Sequence, residues 1–162
     1  MCGIFGSISK DAAGKVLEGL RKLEYRGYDS AGLAAIFTDH EGPIETERTT
    51  GYVSDLVTKA NGRFDGARIS IGHTRWATHG GVTDTNAHPH SSNDGTISIV
   101  HNGIIENASE LLERVRNLGY QVHSETDSEL IVHLLDYELK TQPSDKTPLD
   151  AFNSAVSLLR GS

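Results

Sequence analysis

The chain has 162 residues, of which 36% are apolar and 23% charged, with a formal net charge of -7. This is length enough for one domain with a buried core and too little for two. The negative balance without a Lys/Arg cluster argues against a nucleic-acid partner, and no run approaches the roughly 18 apolar residues of a membrane span.

A basic region followed by an apolar run is missing at the N-terminus, so no signal peptide is read there. The single cysteine excludes an internal disulfide framework and suits a reducing compartment, which makes a cytoplasmic location the default. Residues 2–8, short and apolar with a glycine on either side of Ile4-Phe5, predict a buried strand that starts at the terminus itself. Asp11 caps a helix bearing Val16, Leu17, Leu20 and Leu23, which ends before Gly27. The turn-rich stretch from Arg26 to Gly32 leads into a strand over 33–37. Residues 39–42 read as a hairpin turn to a second strand over 44–48.

A weak helical pattern covers 53–60. Residues 67–72 alternate as a half-buried strand that runs into His73-Thr74-Arg75-Trp76-Ala77-Thr78-His79-Gly80-Gly81. Residues 80–95 form a long polar loop, and 96–100 another alternating strand leading to His101-Asn102-Gly103. Asn107 with Glu110, and Thr126 with Glu129, match capping boxes for two helices; Gly119 stops the first. Thr147-Pro148 opens a last helix through Leu158-Leu159, with Gly161 as its stop. Hairpins mixed with helices, with no repeat or linker, predict an α+β fold.

Chemistry enters at four places. Cys2 directly follows Met1, and loss of Met1 would place a thiol and a free α-amine on one residue, a nucleophile with its own base. The alternative is a small buried side chain in a first strand. Arg75 offers a planar fork for a carboxylate, beside Trp76 as a cover and Gly80-Gly81 as a hinge; a solvated arginine next to a core tryptophan is the alternative. Asn102-Gly103 supplies a side-chain amide and an unhindered backbone N–H side by side, as an oxyanion site requires, or else a type I′ turn. Asp127, in the first turn of a helix, suits an ammonium group or simply the helix dipole.

Eight histidines, His88-Pro89-His90 among them, do not make a metal site, because their spacing signals no closed tetrahedral set. A serine triad of Ser30, Asp29 and His101 lacks the nucleophile elbow.

Taken together, MCGIFG at 1–6, LEYRGYDSAG at 23–32, HTRWATHG at 73–80, NAHPH at 86–90, HNGIIEN at 101–107 and SETDSE at 124–129 span nearly the whole chain. In these blocks the sequence resembles the glutaminase domain of the glucosamine-6-phosphate synthases, a branch of the class II, N-terminal-nucleophile glutamine amidotransferases. The resemblance implies a four-layer αββα sandwich of antiparallel sheets that hydrolyses the side-chain amide of L-glutamine without cofactor or metal. It implies Cys2 as nucleophile through a γ-glutamyl thioester and Asn102 and Gly103 as oxyanion donors. Arg75 and Asp127 would hold the α-carboxylate and α-ammonium, with Trp76, Thr78 and His79 in a closing loop and Arg26 supporting the nucleophile's end.

Ser128 stands where a threonine is more usual in that family. Residues 1–162 would form the N-terminal part of one glutaminase-type domain, with unpaired sheet edges. The sugar-phosphate isomerase domains that use the ammonia on fructose 6-phosphate would be absent, and a homodimer stays open. A catalytically silent module that binds an amino acid or a partner domain is the rival reading.

Overall fold

The structure, a computed structural model, describes residues 1–38, 42–78 and 80–161. Its frame is a four-stranded antiparallel sheet in the order β1-β4-β2-β3, made of β1 (Gly3–Ile8), β2 (Ser30–Ile36), β3 (Glu45–Thr50) and β4 (Ile69–Arg75). Period-2 geometry gives this sheet two unlike faces.

One face takes Ala31, Leu33 and Ala35 of β2 and Gly72 of β4, and lies under α1 (Ala12–Leu23) and α2 (Val53–Ala60). Val16, Leu20, Leu33, Val53 and Leu56 are buried there in one apolar cluster with Phe64. Glycines let α1 come this close: the Phe5 ring lies on Gly19, and a methyl at Gly72 would stand 2.5 Å from Val16 Cγ1. The Asp11 side chain accepts from Gly14 N at 3.2 Å, the expected cap.

The opposite face, with Gly32 of β2 and His73 and Arg75 of β4, meets residues 86–103. There β5 (His90–Ser91) pairs with β6 (Ser98–Ile99) in a two-stranded antiparallel sheet. Behind it α3 (Ala108–Asn117), α4 (Ser128–Thr141) and α5 (Pro148–Ser157) enclose a second apolar cluster around Leu111, Val115, Leu130 and Leu134. Two antiparallel sheets between two helix layers agree with the α+β, αββα expectation. Towards the far end of β1 the inner face is open, with Ile8, Ile36 and Ile69 exposed. Among the described residues no helix is long and apolar enough to cross a membrane.

Several local expectations shift. The strand read at 67–72 runs on to Arg75, which carries His73 and Arg75 into the sheet instead of a loop. The strand read at 96–100 pairs only over Ser98–Ile99, and its partner β5 lies inside the stretch read as loop. The hairpin of β2 and β3 is present, while residues 39–41 of its turn lie outside the described residues.

Two capping boxes are replaced by longer-range bonds. Asn107 uses its side chain on Leu158 O and Arg160 N, both at 2.9 Å. Glu129 accepts from His123 N and Ser124 N, at 2.9 and 2.6 Å, so α4 begins at Ser128 with Asp127 at its N-cap. Each side chain satisfies backbone donors or acceptors beyond its own first turn, which a local pattern does not reveal. Thr147, read in the sequence only as opening the last helix with Pro148, forms a capping box with Asp150, and Gly119 ends α3 with φ +91°.

Gly32 is where the two sheets touch, since a methyl there would overlap the His88 carbonyl oxygen. Gly32→Ala is expected to lower unfolding free energy in urea by about 1 to 3 kcal/mol, the range for overpacking. Gly6→Ala, whose nearest neighbour would lie 3.8 Å away, is expected to stay within about 0.5 kcal/mol of the parent.

Candidate active site

The register Gly3↔Thr74 sets Cys2 across from the end of β4, where the chain leaves the sheet. Trp76 N donates to Cys2 Sγ at 3.3 Å, and Sγ lies 3.7 Å from Trp76 O, so the thiol is held by backbone and not by the indole ring. The Trp76 ring instead packs edge-on against Tyr28, centroids 5.3 Å apart. Asn102 Nδ2 donates to Cys2 O at 3.1 Å, joining residues one hundred positions apart.

A cavity of about 40 Å³ lies at this point, and Cys2, Arg75, Trp76, Thr78, Asn102, Gly103 and Asp127 all line it. Seven of the nine residues singled out in the sequence therefore meet in one place. His79 lies outside the described residues. Arg26 sits in the 3₁₀ turn Glu24–Arg26 and does not line the cavity; its Nε is buried without a hydrogen-bond partner. The volume suits about one water molecule and not an amino acid. A more open cleft of about 350 Å³ adjoins it on the other side of Asp127, lined by Ile104, Ile105, Leu112 and Leu130.

Arg75 is 4% exposed, and burial lowers its pKa from the ordinary guanidinium value. Its Nη1 donates to Gly81 O at 3.1 Å and its Nη2 approaches Gly80 O at 3.5 Å, so part of the fork steadies the loop after β4. Two residues not singled out in the sequence latch the same loop. Glu125 Oε2 accepts from Gly81 N at 3.0 Å and from Asn86 Nδ2 at 2.8 Å, and Asn86 Oδ1 accepts from Glu125 N at 2.8 Å. Their only sequence signal was membership of the NAHPH and SETDSE blocks. Asp29 clamps the start of the loop, accepting from Ala77 N at 2.8 Å.

Neither Asn102 nor Gly103 has positive φ, so the pair is not a type I′ turn. Asp127 stands at the N-cap position of α4 but makes no side-chain cap bond; its Oδ2 accepts from Ile105 N at 2.7 Å, which ties the segment after Gly103 to α4. Ser128 Oγ lies 3.3 Å from Asp127 Oδ1 and 2.9 Å from His101 Nδ1. Ser30 Oγ is buried without a hydrogen-bond partner, so no triad links it to Asp29 and His101.

Between the sheets the His73 and His88 rings stack at 4.2 Å, and His88 meets His90 at 4.5 Å. Burial drives all three pKa values down, His73 to about 4 and His90 to about 3, with His88 further still. They are neutral imidazoles at physiological pH.

Comparison with known proteins bears on this geometry. A family model described as a glutamine amidotransferase domain matches residues 73–151. The glutamine–fructose-6-phosphate aminotransferase (isomerizing) of Clostridium tetani is 49% identical over all of this chain, and that of Pyrococcus horikoshii 47%. The chain belongs to the glutamine amidotransferases.

The amidotransferase chain spans 26% of the length of those relatives. Among solved structures, an allosteric regulatory enzyme of purine biosynthesis superimposes with a TM-score of 0.78 at 26% identity, over all of this chain and 34% of its own. The glutamine phosphoribosylpyrophosphate amidotransferase of B. subtilis, at 24% identity, shares the fold with a TM-score of 0.76 over 99% of this chain and 33% of its own.

The buried imidazoles predict a domain that loses stability in acid. Unfolded, each histidine takes up a proton near pH 6.5, whereas in the folded state His73 does so only near 4 and His90 near 3. Between about pH 4 and 6.5 the unfolded chain thus binds more protons, and stability falls as pH falls. The urea midpoint is expected to drop steadily from pH 7 to 4.5, and His88→Gln to flatten that slope; a flat profile for the parent would contradict the assignment.

Proposed function

We propose that the domain hydrolyses the side-chain amide of L-glutamine with Cys2, freed of Met1, as nucleophile. The supporting observation is the convergence of thiol, oxyanion donors, guanidinium and carboxylate on one small cavity. The Cys2 α-amine takes the thiol proton, directly or through a water, and Sγ attacks the amide carbon. Asn102 Nδ2 and the Gly103 N–H receive the developing oxyanion, and the α-ammonium proton is returned to the leaving nitrogen. Collapse releases ammonia and leaves a γ-glutamyl thioester on Cys2, which water hydrolyses to glutamate.

At the other end of the substrate Arg75 takes the α-carboxylate, exchanging contacts with the Gly80 and Gly81 carbonyls, so that binding opens and resets the loop bearing Trp76, Thr78 and His79. Asp127 keeps Oδ2 on Ile105 N and offers Oδ1 to the α-ammonium. Arg26 supports the turn behind Cys2. Recognition of both charged ends selects an amino acid over a simple amide.

Residues 1–162 act as the N-terminal part of a glutaminase-type domain. The ammonia serves a sugar-phosphate isomerase half acting on fructose 6-phosphate in the cytoplasm, a reading that rests on the relatives' names and greater length. The rival is a catalytically silent module that binds an amino acid or a partner domain.

Ammonia release from glutamine separates the two. The Met1-free chain is expected to turn over, and Cys2→Ala to abolish release; a Cys2→Ala variant that still released ammonia would sink the mechanism. A chain that retains Met1 is expected to be inactive, since its α-amine is not on Cys2. Asn102→Ala is expected to cost about 10²- to 10³-fold in kcat. Asp127→Asn is expected to act mainly by raising KM.

A further inference from the structure

Asn102 must present Nδ2, and not Oδ1, towards the nucleophile's end, because a carbonyl oxygen there would repel an oxyanion. The two orientations of an asparagine amide differ little in shape, so something must choose between them. We propose that His73 is the positioning residue that makes this choice, its Nε2–H holding Asn102 Oδ1 away from Cys2. The proposal deepens the glutaminase reading and rests on it for the meaning of the amide, though the geometry stands on its own.

Three contacts close the argument. Cys2 O can only accept, and it lies 3.1 Å from Asn102 Nδ2, so the amide nitrogen faces Cys2. Oδ1 then faces His73 Nε2 at 2.7 Å, and an acceptor at that distance requires a proton on Nε2. His73 Nδ1 is buried and lacks a hydrogen-bond partner, so a proton placed there instead would be a buried, unpaired donor. Flipping the amide would set Oδ1 against Cys2 O and force that proton onto Nδ1, so the flipped state loses at both ends.

The ring that makes the choice is itself immobilised. His73 is 1% exposed in the middle of the inner face, paired across from Ile4 and Gly32, and stacked on His88 with planes 15° apart. His88 Nδ1 in turn accepts from His101 N at 3.4 Å, so two stacked imidazoles grip two consecutive residues, His101 by its backbone and Asn102 by its side chain. Burial that keeps His73 neutral leaves one N–H, which the tautomer commits to Asn102. An oxyanion donor fixed in advance needs no reorganisation when charge develops.

The test uses two independent readouts. In glutamine hydrolysis by the Met1-free chain, His73→Leu is expected to lower kcat about 10- to 100-fold, the scale of a mispositioned catalytic group. KM should change less than about twofold, since Arg75 and Asp127 are untouched. His73→Gln, whose amide N–H reaches towards Oδ1, is expected to recover most of the loss, and His73→Leu is expected to add nothing once Asn102 is alanine. An unchanged kcat in His73→Leu, or a full further loss in the Asn102→Ala background, overturns the proposal.

The second readout needs neither turnover nor a variant: long-range ¹H–¹⁵N spectra of ¹⁵N-histidine-labelled chain at neutral pH should show His73 as the Nε2–H tautomer. An Nδ1–H tautomer overturns the proposal. Ammonia release that survives in Cys2→Ala would fail the glutaminase reading alone, and the tautomer would still decide the role of His73.

Discussion

The antiparallel register of β1 on β4 is the constraint from which the site follows. Gly3↔Thr74 puts the second residue of the chain against the last residue of a strand that begins at position 69. A slip by one residue would turn Cys2 to the α1 face and lose the Trp76 backbone contact. The register is held by packing and not by the terminus: Phe5 lies on Gly19, and Gly3 abuts Leu23 and Thr74. Small residues in β1, β4 and α1 thus do two things at once, bringing helix and sheet close and fixing which atom meets Trp76 N.

On the other face the same sheet carries polar groups into the interior. Arg75, His73, His88 and His90 are all buried, and each is compensated by a specific partner: loop carbonyls for Arg75, Asn102 for His73, His101 N for His88 and Thr126 for His90. Unpaired, groups like these would each cost roughly 1 to 3 kcal/mol. Paired, they bind the two sheets together and hold residues 101–102 against Cys2. Asn102 is thus held at both ends of its amide, by His73 and by Cys2 O, whereas Arg75 is held by carbonyl contacts at Gly80 and Gly81.

Much of this was legible in the residues. Amphipathic spacing placed α1, α3, α4 and α5, and the turn chemistry at Gly119 and Thr147-Pro148 ended or began helices where expected. Seven residues named in the sequence, six from motif chemistry and Thr78 from the family resemblance, share one cavity. What escaped was long-range. Glu129 and Asn107 look like local caps, yet their partners lie at 123–124 and 158–160. His73 reads as one of eight histidines until the fold sets it beside Asn102, and Asn86 with Glu125 gain meaning only when the loop brings them to Gly81. Periodicity reports which face a residue occupies, and cannot report what waits across from it.

The account turns on Cys2 being the group that faces the amide carbon of a bound glutamine. A diazo ketone analogue of glutamine places an electrophilic carbon at that position. Incubated with the Met1-free chain and examined by mass spectrometry, it should leave a single adduct, mapped to Cys2, and glutamate in excess should slow its formation. An intact N-terminal cysteine with no adduct, or an adduct elsewhere, would contradict the account.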